Sequence, residues 1–172
     1  MYISRCLLIW LPTYLVEETH LSPFSASILG GLATLSGIGP MFIGARLANM
    51  KTKGRNNLII ALSFALTIPV IWMLPRIADA TQILTLFSMV FAFLNLGGSL
   101  YFSYSPVFLS KEVVGTASGF IDSLAYVGSF LGIILTGLIF DAYLSYDPVF
   151  ILLTIIAGAG MIISSLIKKA AI

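Results

Sequence analysis

Six continuous apolar runs dominate this sequence, and they constrain its fold more than any other feature. They cover residues 1–16, 23–47, 58–74, 83–109, 114–140 and 149–167. The runs do not alternate between apolar and polar residues, as the strands of a membrane barrel would. In lipid, each segment must satisfy its own backbone N–H and C=O groups, so runs of this length predict α-helices. We therefore expect an all-α membrane protein in which residues 1–172 form one six-helix bundle.

The low content of charged residues supports the same class. Only 9% of the residues are charged, whereas soluble domains carry about 25%. A single cysteine, Cys6, excludes an internal disulfide and cannot form a metal site alone. The sequence also lacks H-E-x-x-H, G-x-S-x-G and phosphate-binding glycine motifs. We therefore expect no enzyme activity, no metal, no cofactor and no nucleic-acid partner.

Basic residues occur in alternate connections between the runs, which predicts the orientation of the chain. The basic positions are Arg46, Lys51, Lys53 and Arg55 in the second connection, Lys111 in the fourth, and Lys168 and Lys169 in the tail. The first and fifth connections have no basic residue, and the third has only Arg76. Acidic residues mark the first and fifth connections, at Glu17, Glu18, Asp141 and Asp147. Because positive residues favour the cytoplasmic side, we expect a multi-pass protein of the cell membrane with cytoplasmic basic loops and C-terminus.

The first run is shorter than a bilayer requires. Its 16 residues would give a helix of about 24 Å, less than the ~30 Å hydrocarbon core. The sequence therefore predicts a truncated first helix, and a chain that is one piece of a longer protein.

Two charged residues lie inside the runs, at Arg5 and Asp122, when Arg46 is counted with the connection that follows it. Counting residues from the predicted run ends places both in the same central layer, where they could pair directly or through a bound solute. Asp122 could be a proton site, a structural hydrogen-bonding group, or a residue close enough to cytoplasmic water to stay solvated. Arg5 could bind an anion in a cavity or extend to the cytoplasmic surface.

Polar residues follow helical spacing on two of the runs. The fifth run carries Ser118, Asp122, Tyr126, Ser129 and Thr136, and the fourth carries Ser88, Asn95, Ser99 and Ser103. Such stripes indicate faces turned towards a water-filled cavity or towards each other, although serine and threonine often bond only to their own helix. The predicted substrate-binding or coupling residues are Arg5, Asn95, Ser99, Asp122 and Tyr126.

Three segments resemble the C-terminal half of a major facilitator superfamily transporter. "WLPTYL" (Trp10–Leu15) is similar to the end of the family's seventh helix, and "GARLANMKTKGR" (Gly44–Arg55) lies where the family has a basic loop. "GTASGF" (Gly115–Phe120) is similar to the start of the eleventh helix, and the first and third segments together resemble the organophosphate and organic-anion branch.

The resemblance implies a secondary active transporter, a symporter or antiporter, that moves a small solute by alternating access. It implies two inverted three-helix repeats, the N-terminal half of the same transporter as partner, and an organic anion as solute. It also implies a conformational loop, at Arg46, Asn49, Lys51, Lys53 and Arg55. The loop departs from the family motif, since Asn49 replaces an aspartate and Met50 an arginine.

Two other functions fit the same sequence. A self-associating six-helix carrier would form a stable dimer of this chain. A membrane scaffold without transport activity would need neither Arg5 nor Asp122.

Overall fold

The chain folds into helices that are joined by short connections. The computed structural model describes residues 2–49, 56–102, 110 and 112–166. Seven helices occur in these residues: α1 (Tyr2–Thr19), α2 (Pro23–Leu35), α3 (Ile38–Asn49), α4 (Asn56–Met73), α5 (Ala80–Phe102), α6 (Val114–Tyr143) and α7 (Asp147–Leu166). A 3-10 turn, Leu74–Arg76, follows α4. The predicted all-α class is confirmed.

Helix α1 continues three residues beyond the predicted end of the first run. The Thr19 hydroxyl donates a hydrogen bond to the Leu15 carbonyl at 2.6 Å, and His20 then takes a left-handed φ of 55°. The helix therefore includes Glu17 and Glu18, which read as loop residues in the sequence. Its 18 residues span about 27 Å.

The second run, predicted as one helix, is divided into α2 and α3. The break lies at Ser36 and Gly37, where the Gly37 N–H donates a hydrogen bond to the Thr34 carbonyl at 3.2 Å. Pro40 explains the position of the break. A proline has no N–H, and its ring clashes with the carbonyl four residues earlier, which here belongs to Ser36. The two helices still form one apolar span, Pro23–Ala48.

The other helices follow the remaining runs, with bounds shifted by a few residues. Helix α4 begins two residues earlier than predicted and passes through Pro69 without ending. Helix α5 begins at Ala80, where Asp79 accepts a hydrogen bond from the Gln82 N–H at 3.0 Å. Its predicted final residues, 103–109, lie outside the described residues.

Five segments of the described chain are long and apolar enough to cross a membrane. They are Pro23–Ala48, Asn56–Arg76, Ala80–Phe102, Val114–Tyr143 and Asp147–Leu166. Helix α1 packs between α2 and α6, whereas α4 packs on α5 and α7, and α3 packs on α5. The buried residues of α1 contribute to the centre of the core, at Ile3, Cys6, Leu7, Leu11, Tyr14 and Leu15.

Helices α1 and α6 run parallel with a constant register. The Tyr2 ring fills the space beside Gly132, Thr136 donates to the Cys6 thiol at 3.7 Å, and the Trp10 and Phe140 rings lie 6.1 Å apart. In each of these three contacts the two residues are separated by the 130 positions found between Cys6 and Thr136. The first half of α6, before Gly132, therefore extends beyond the Tyr2 end of α1. Many apolar side chains of this half are exposed.

Candidate functional site

Arg5 and Tyr126 meet on an open face of the bundle. The Arg5 Nη2 donates to the Tyr126 hydroxyl at 3.4 Å, and its Cζ lies 5.5 Å from the centre of the tyrosine ring. This geometry is a cation–π contact, in which the ring faces the guanidinium. Tyr126 is 54% exposed. The structure thus brings together two of the five predicted site residues, Arg5 and Tyr126.

Asp122 lies one helical turn before Tyr126 on α6. Its Oδ1 atom is buried and has no hydrogen-bond partner among the described residues. A buried acceptor without a partner costs about 1–3 kcal/mol, so a hydrogen-bond donor from a ligand would be favourable at this oxygen. The carboxylate makes no ion pair with Arg5 in the part of the chain that the structure describes.

The register of α1 and α6 corrects the expected depth of these two charges. An offset of 130 positions places Arg5 level with residue 135, which is 13 positions beyond Asp122. At 1.5 Å per residue, the two backbones differ in height by about 20 Å. The estimate from the sequence assumed that both runs ended at the same two surfaces. Helix α1 instead begins beside the middle of α6, so the equal-depth prediction was wrong.

Asn95 and Ser99 lie in a different part of the bundle, between α3 and α5. The Asn95 amide donates to the Phe91 carbonyl at 2.8 Å, and Ser99 donates to the Leu96 carbonyl at 2.9 Å. Both side chains occupy notches left by glycines of the second span, Asn95 beside Gly37 at the break and Ser99 beside Gly44 of α3. We call this contact the α3–α5 seam, and its polar groups serve the packing of two helices.

The α3–α5 seam continues to the break in the second span. The Ser36 hydroxyl is shared between two acceptors, the Ala33 carbonyl at 2.6 Å and, across the helices, the Ser88 carbonyl at 2.9 Å. Ser88 was part of the polar stripe recognised in the sequence. The sequence did not indicate its partner, because spacing along one helix does not identify the neighbouring helix.

The predicted conformational loop is described only in part. Arg46 is exposed in the last turn of α3, where a positive charge is favourable next to the helix dipole. Asn49 ends the helix. Lys51, Lys53 and Arg55 lie outside the described residues, so the role of this loop stays a prediction.

A cluster of aromatic rings closes the end of the bundle that carries the acidic connections, here called the acidic end. Tyr14 meets Tyr146 at 4.9 Å and Phe150 at 5.3 Å in edge-to-face contacts, and Phe140 lies 4.5 Å from Tyr146. The Tyr14 hydroxyl donates to the Leu74 carbonyl at 3.1 Å. Burial raises the pKa of the Tyr146 hydroxyl well above its usual value, and the neighbouring Glu17 raises it further. These rings were not recognised in the sequence, although their positions near helix ends are typical of membrane proteins.

The described part of the chain has concave spaces at two places of interest. A narrow cavity lies among α1, α5, α6 and α7, with a mostly aromatic and aliphatic lining. An open groove lies at the acidic end and is lined by Trp72, Pro75, Arg76, Asp147, Phe150 and Ile151. No group of three or more His, Cys, Asp or Glu side chains in the described residues could hold a metal ion.

Comparison with known proteins gave two matches. The family model described as Major Facilitator Superfamily matches residues 1–133. A curated protein, the hexuronate transporter of Bacillus subtilis (strain 168), is 26% identical over 149 residues, which cover 81% of this chain and 35% of that protein. The chain thus spans about a third of the length of this relative. No solved structure gave a significant match.

Proposed function

This chain belongs to the Major Facilitator Superfamily, and from that premise we propose that it forms the C-terminal half of a secondary transporter for a small organic anion. The chain is a multi-pass membrane protein of a transporter family. The solute, the mechanism and the second half of the transporter are the parts that we propose.

The observation that carries the proposal is the free charge of Arg5. An arginine stays protonated and offers five N–H donors in a planar fork that matches a carboxylate. One of these donors is directed at Tyr126, and no carboxylate pairs with Arg5 among the described residues. A solute carboxylate would therefore find open donors, with the Tyr126 hydroxyl beside it for a solute hydroxyl.

A sugar acid has the chemistry that this pair requires. The relative from Bacillus subtilis is named as a hexuronate transporter, and a hexuronate carries one carboxylate and several hydroxyls. We infer that a hexuronate or a similar hydroxylated carboxylate binds at Arg5 and Tyr126. Asp122 is the candidate coupling residue, since its buried oxygen lacks a partner among the described residues.

A second six-helix bundle would complete the binding site. Arg5 and Tyr126 lie on an open face, and alternating access requires a second wall that rocks against the first. We propose that this wall is the N-terminal half of the same transporter, in a cell membrane whose cytoplasmic side faces the basic connections. Asn95 and Ser99 would then act indirectly, through the α3–α5 seam.

Solute-dependent stabilisation of this chain assembled with the second half of the transporter, in detergent, tests the completed site. Glucuronate at millimolar concentration should raise the unfolding temperature more than glucose, a neutral sugar of similar size. Arg5→Gln should remove this difference, whereas Arg46→Gln, which changes an exposed arginine of α3, should retain it. Equal effects of the two solutes on the unsubstituted protein would contradict an anion site at Arg5.

Uptake by proteoliposomes tests the need for a second half. We expect no saturable uptake of labelled glucuronate by the chain alone. Saturable uptake, together with a stable dimer in light scattering, would instead support the self-associating carrier.

A further inference from the structure

The open groove at the acidic end carries two opposite charges that belong to different helices. Arg76 ends the 3-10 turn after α4, and Asp147 begins α7. Both residues line the groove, together with Trp72, Phe150 and Ile151. The groove is remote from Arg5 and Tyr126, because it lies at the opposite end of the bundle from the first half of α6.

Neither charge is neutralised by the other. The Arg76 guanidinium lies 4.5 Å from the centre of the Trp72 ring and donates from Nη1 to the Trp72 carbonyl. Asp147 uses its backbone N–H to bond the Ser145 hydroxyl at 3.2 Å. No ion pair joins Arg76 to Asp147 in the described residues, so most of the guanidinium donors and the carboxylate oxygens face the groove or water.

The depth of the groove matches the headgroup region of a bilayer. Arg76 is the last residue of the span Asn56–Arg76, and Asp147 is the first residue of the span Asp147–Leu166. Trp72 is half exposed one turn inside Arg76, at the level where tryptophan is favoured in membrane proteins. Ile151 is exposed one turn inside Asp147. The groove therefore has a charged rim at headgroup depth and apolar walls at acyl-chain depth.

We propose that this groove binds one zwitterionic phospholipid whose headgroup carries a phosphodiester and a primary ammonium, as in phosphatidylethanolamine. The phosphate binds the Arg76 guanidinium, which suits phosphate geometry. The ammonium donates to the Asp147 carboxylate in a charge-assisted hydrogen bond. The first carbons of an acyl chain lie along Trp72 and Ile151.

The charge pattern discriminates among lipid headgroups. An anionic phosphatidylglycerol would satisfy Arg76 but leave Asp147 beside a second negative charge. A phosphatidylcholine carries a positive charge, but its quaternary nitrogen has no N–H to donate to a carboxylate. Only a headgroup with both a phosphate and an ammonium N–H matches both residues.

Quenching of tryptophan fluorescence by lipids with brominated acyl chains tests the site directly. The sequence has two tryptophans, and Trp10→Phe leaves Trp72 as the reporter in the groove. The experiment titrates a brominated lipid into phosphatidylcholine vesicles and records the mole fraction that quenches Trp72 fluorescence by half. This mole fraction should be about two- to fivefold lower for brominated phosphatidylethanolamine than for brominated phosphatidylcholine, as expected for one exposed charged contact. Brominated phosphatidylglycerol should show no such preference.

Three substitutions at two acidic residues separate this site from a general charge effect. Asp147→Asn should abolish the preference for phosphatidylethanolamine over phosphatidylcholine, and Asp147→Glu should retain it in a folded, monodisperse protein. Asp141→Asn, an exposed acidic position of the same end outside the groove, should also retain it. Equal quenching by the three lipids, or equal losses from Asp141→Asn and Asp147→Asn, would overturn the proposal. Neither result depends on the solute site at Arg5.

Discussion

Replacing Gly44 by alanine should separate α3 from α5 and destabilise the bundle. A methyl group at Gly44 would lie 2.5 Å from the Leu96 carbonyl oxygen and would also overlap the Ser99 hydroxyl. A carbon normally approaches a carbonyl oxygen no closer than about 3.3 Å. The Leu96 carbonyl is backbone and cannot rotate away, so the two helices must move apart by about 0.8 Å, the difference between these two distances.

The magnitude follows from two opposing effects. Overpacking in a tight contact costs about 1–3 kcal/mol, whereas glycine to alanine within a helix gains about 1 kcal/mol from helix propensity. Gly31→Ala provides the matched control, because Gly31 lies inside α2 of the same span and a methyl group there meets no atom within 4 Å. The propensity gain cancels between the two variants, so Gly44→Ala should be less stable than Gly31→Ala by about 1–3 kcal/mol.

Unfolding by sodium dodecyl sulfate in mixed micelles, followed by tryptophan fluorescence, measures this difference. The midpoint should fall for Gly44→Ala and stay equal or rise for Gly31→Ala. Equal free energies of unfolding for the two variants would refute the close approach of α3 and α5, and with it the placement of Asn95 and Ser99 in the seam.

Two further predictions concern hydrogen bonds between helices. Ser36→Ala removes the bond to the Ser88 carbonyl and should lower the free energy of unfolding by about 0.6 kcal/mol, the average for such bonds in membrane proteins. Ser165→Ala is the control, because the Ser165 hydroxyl bonds within α7, and it should have a smaller effect in the same micelles. Tyr14→Phe removes the bond to the Leu74 carbonyl and should cost about 1 kcal/mol, whereas Tyr143→Phe, at an exposed tyrosine, should leave thermal stability unchanged. Indistinguishable results within either pair would argue against the bond concerned.

The helical class of the chain could be predicted because hydrocarbon leaves few alternatives for a long apolar run. The break at Ser36 and Gly37 was only partly foreseeable. Pro40 indicates a distortion, but the proline itself lies inside α3, and the distortion falls at the carbonyl one turn earlier. The extent of α1 was missed because Glu17 and Glu18 resemble a loop, although a helix can extend beyond the apolar core.

The relation between helices could not be predicted from single runs. Counting from the run ends gave Arg5 and Asp122 the same depth, but depth depends on the register between α1 and α6, which Tyr2 and Gly132 set by direct contact. The polar residues of α5 posed the same difficulty. From the sequence alone, Asn95 could equally line a cavity or pack between helices. The contact between Asn95 and Gly37 decides for packing.

The rings at the acidic end tie together helices that are far apart in sequence. Tyr14 of α1, Phe140 of α6 and Phe150 of α7 meet around Tyr146, whereas no ring contact joins different helices at the opposite end of the described chain. Interlocked rings resist sliding, since each must leave its neighbours before a helix can move. Any opening of this bundle should therefore be a rotation about the acidic end. The largest displacements should then occur at the opposite ends of the helices.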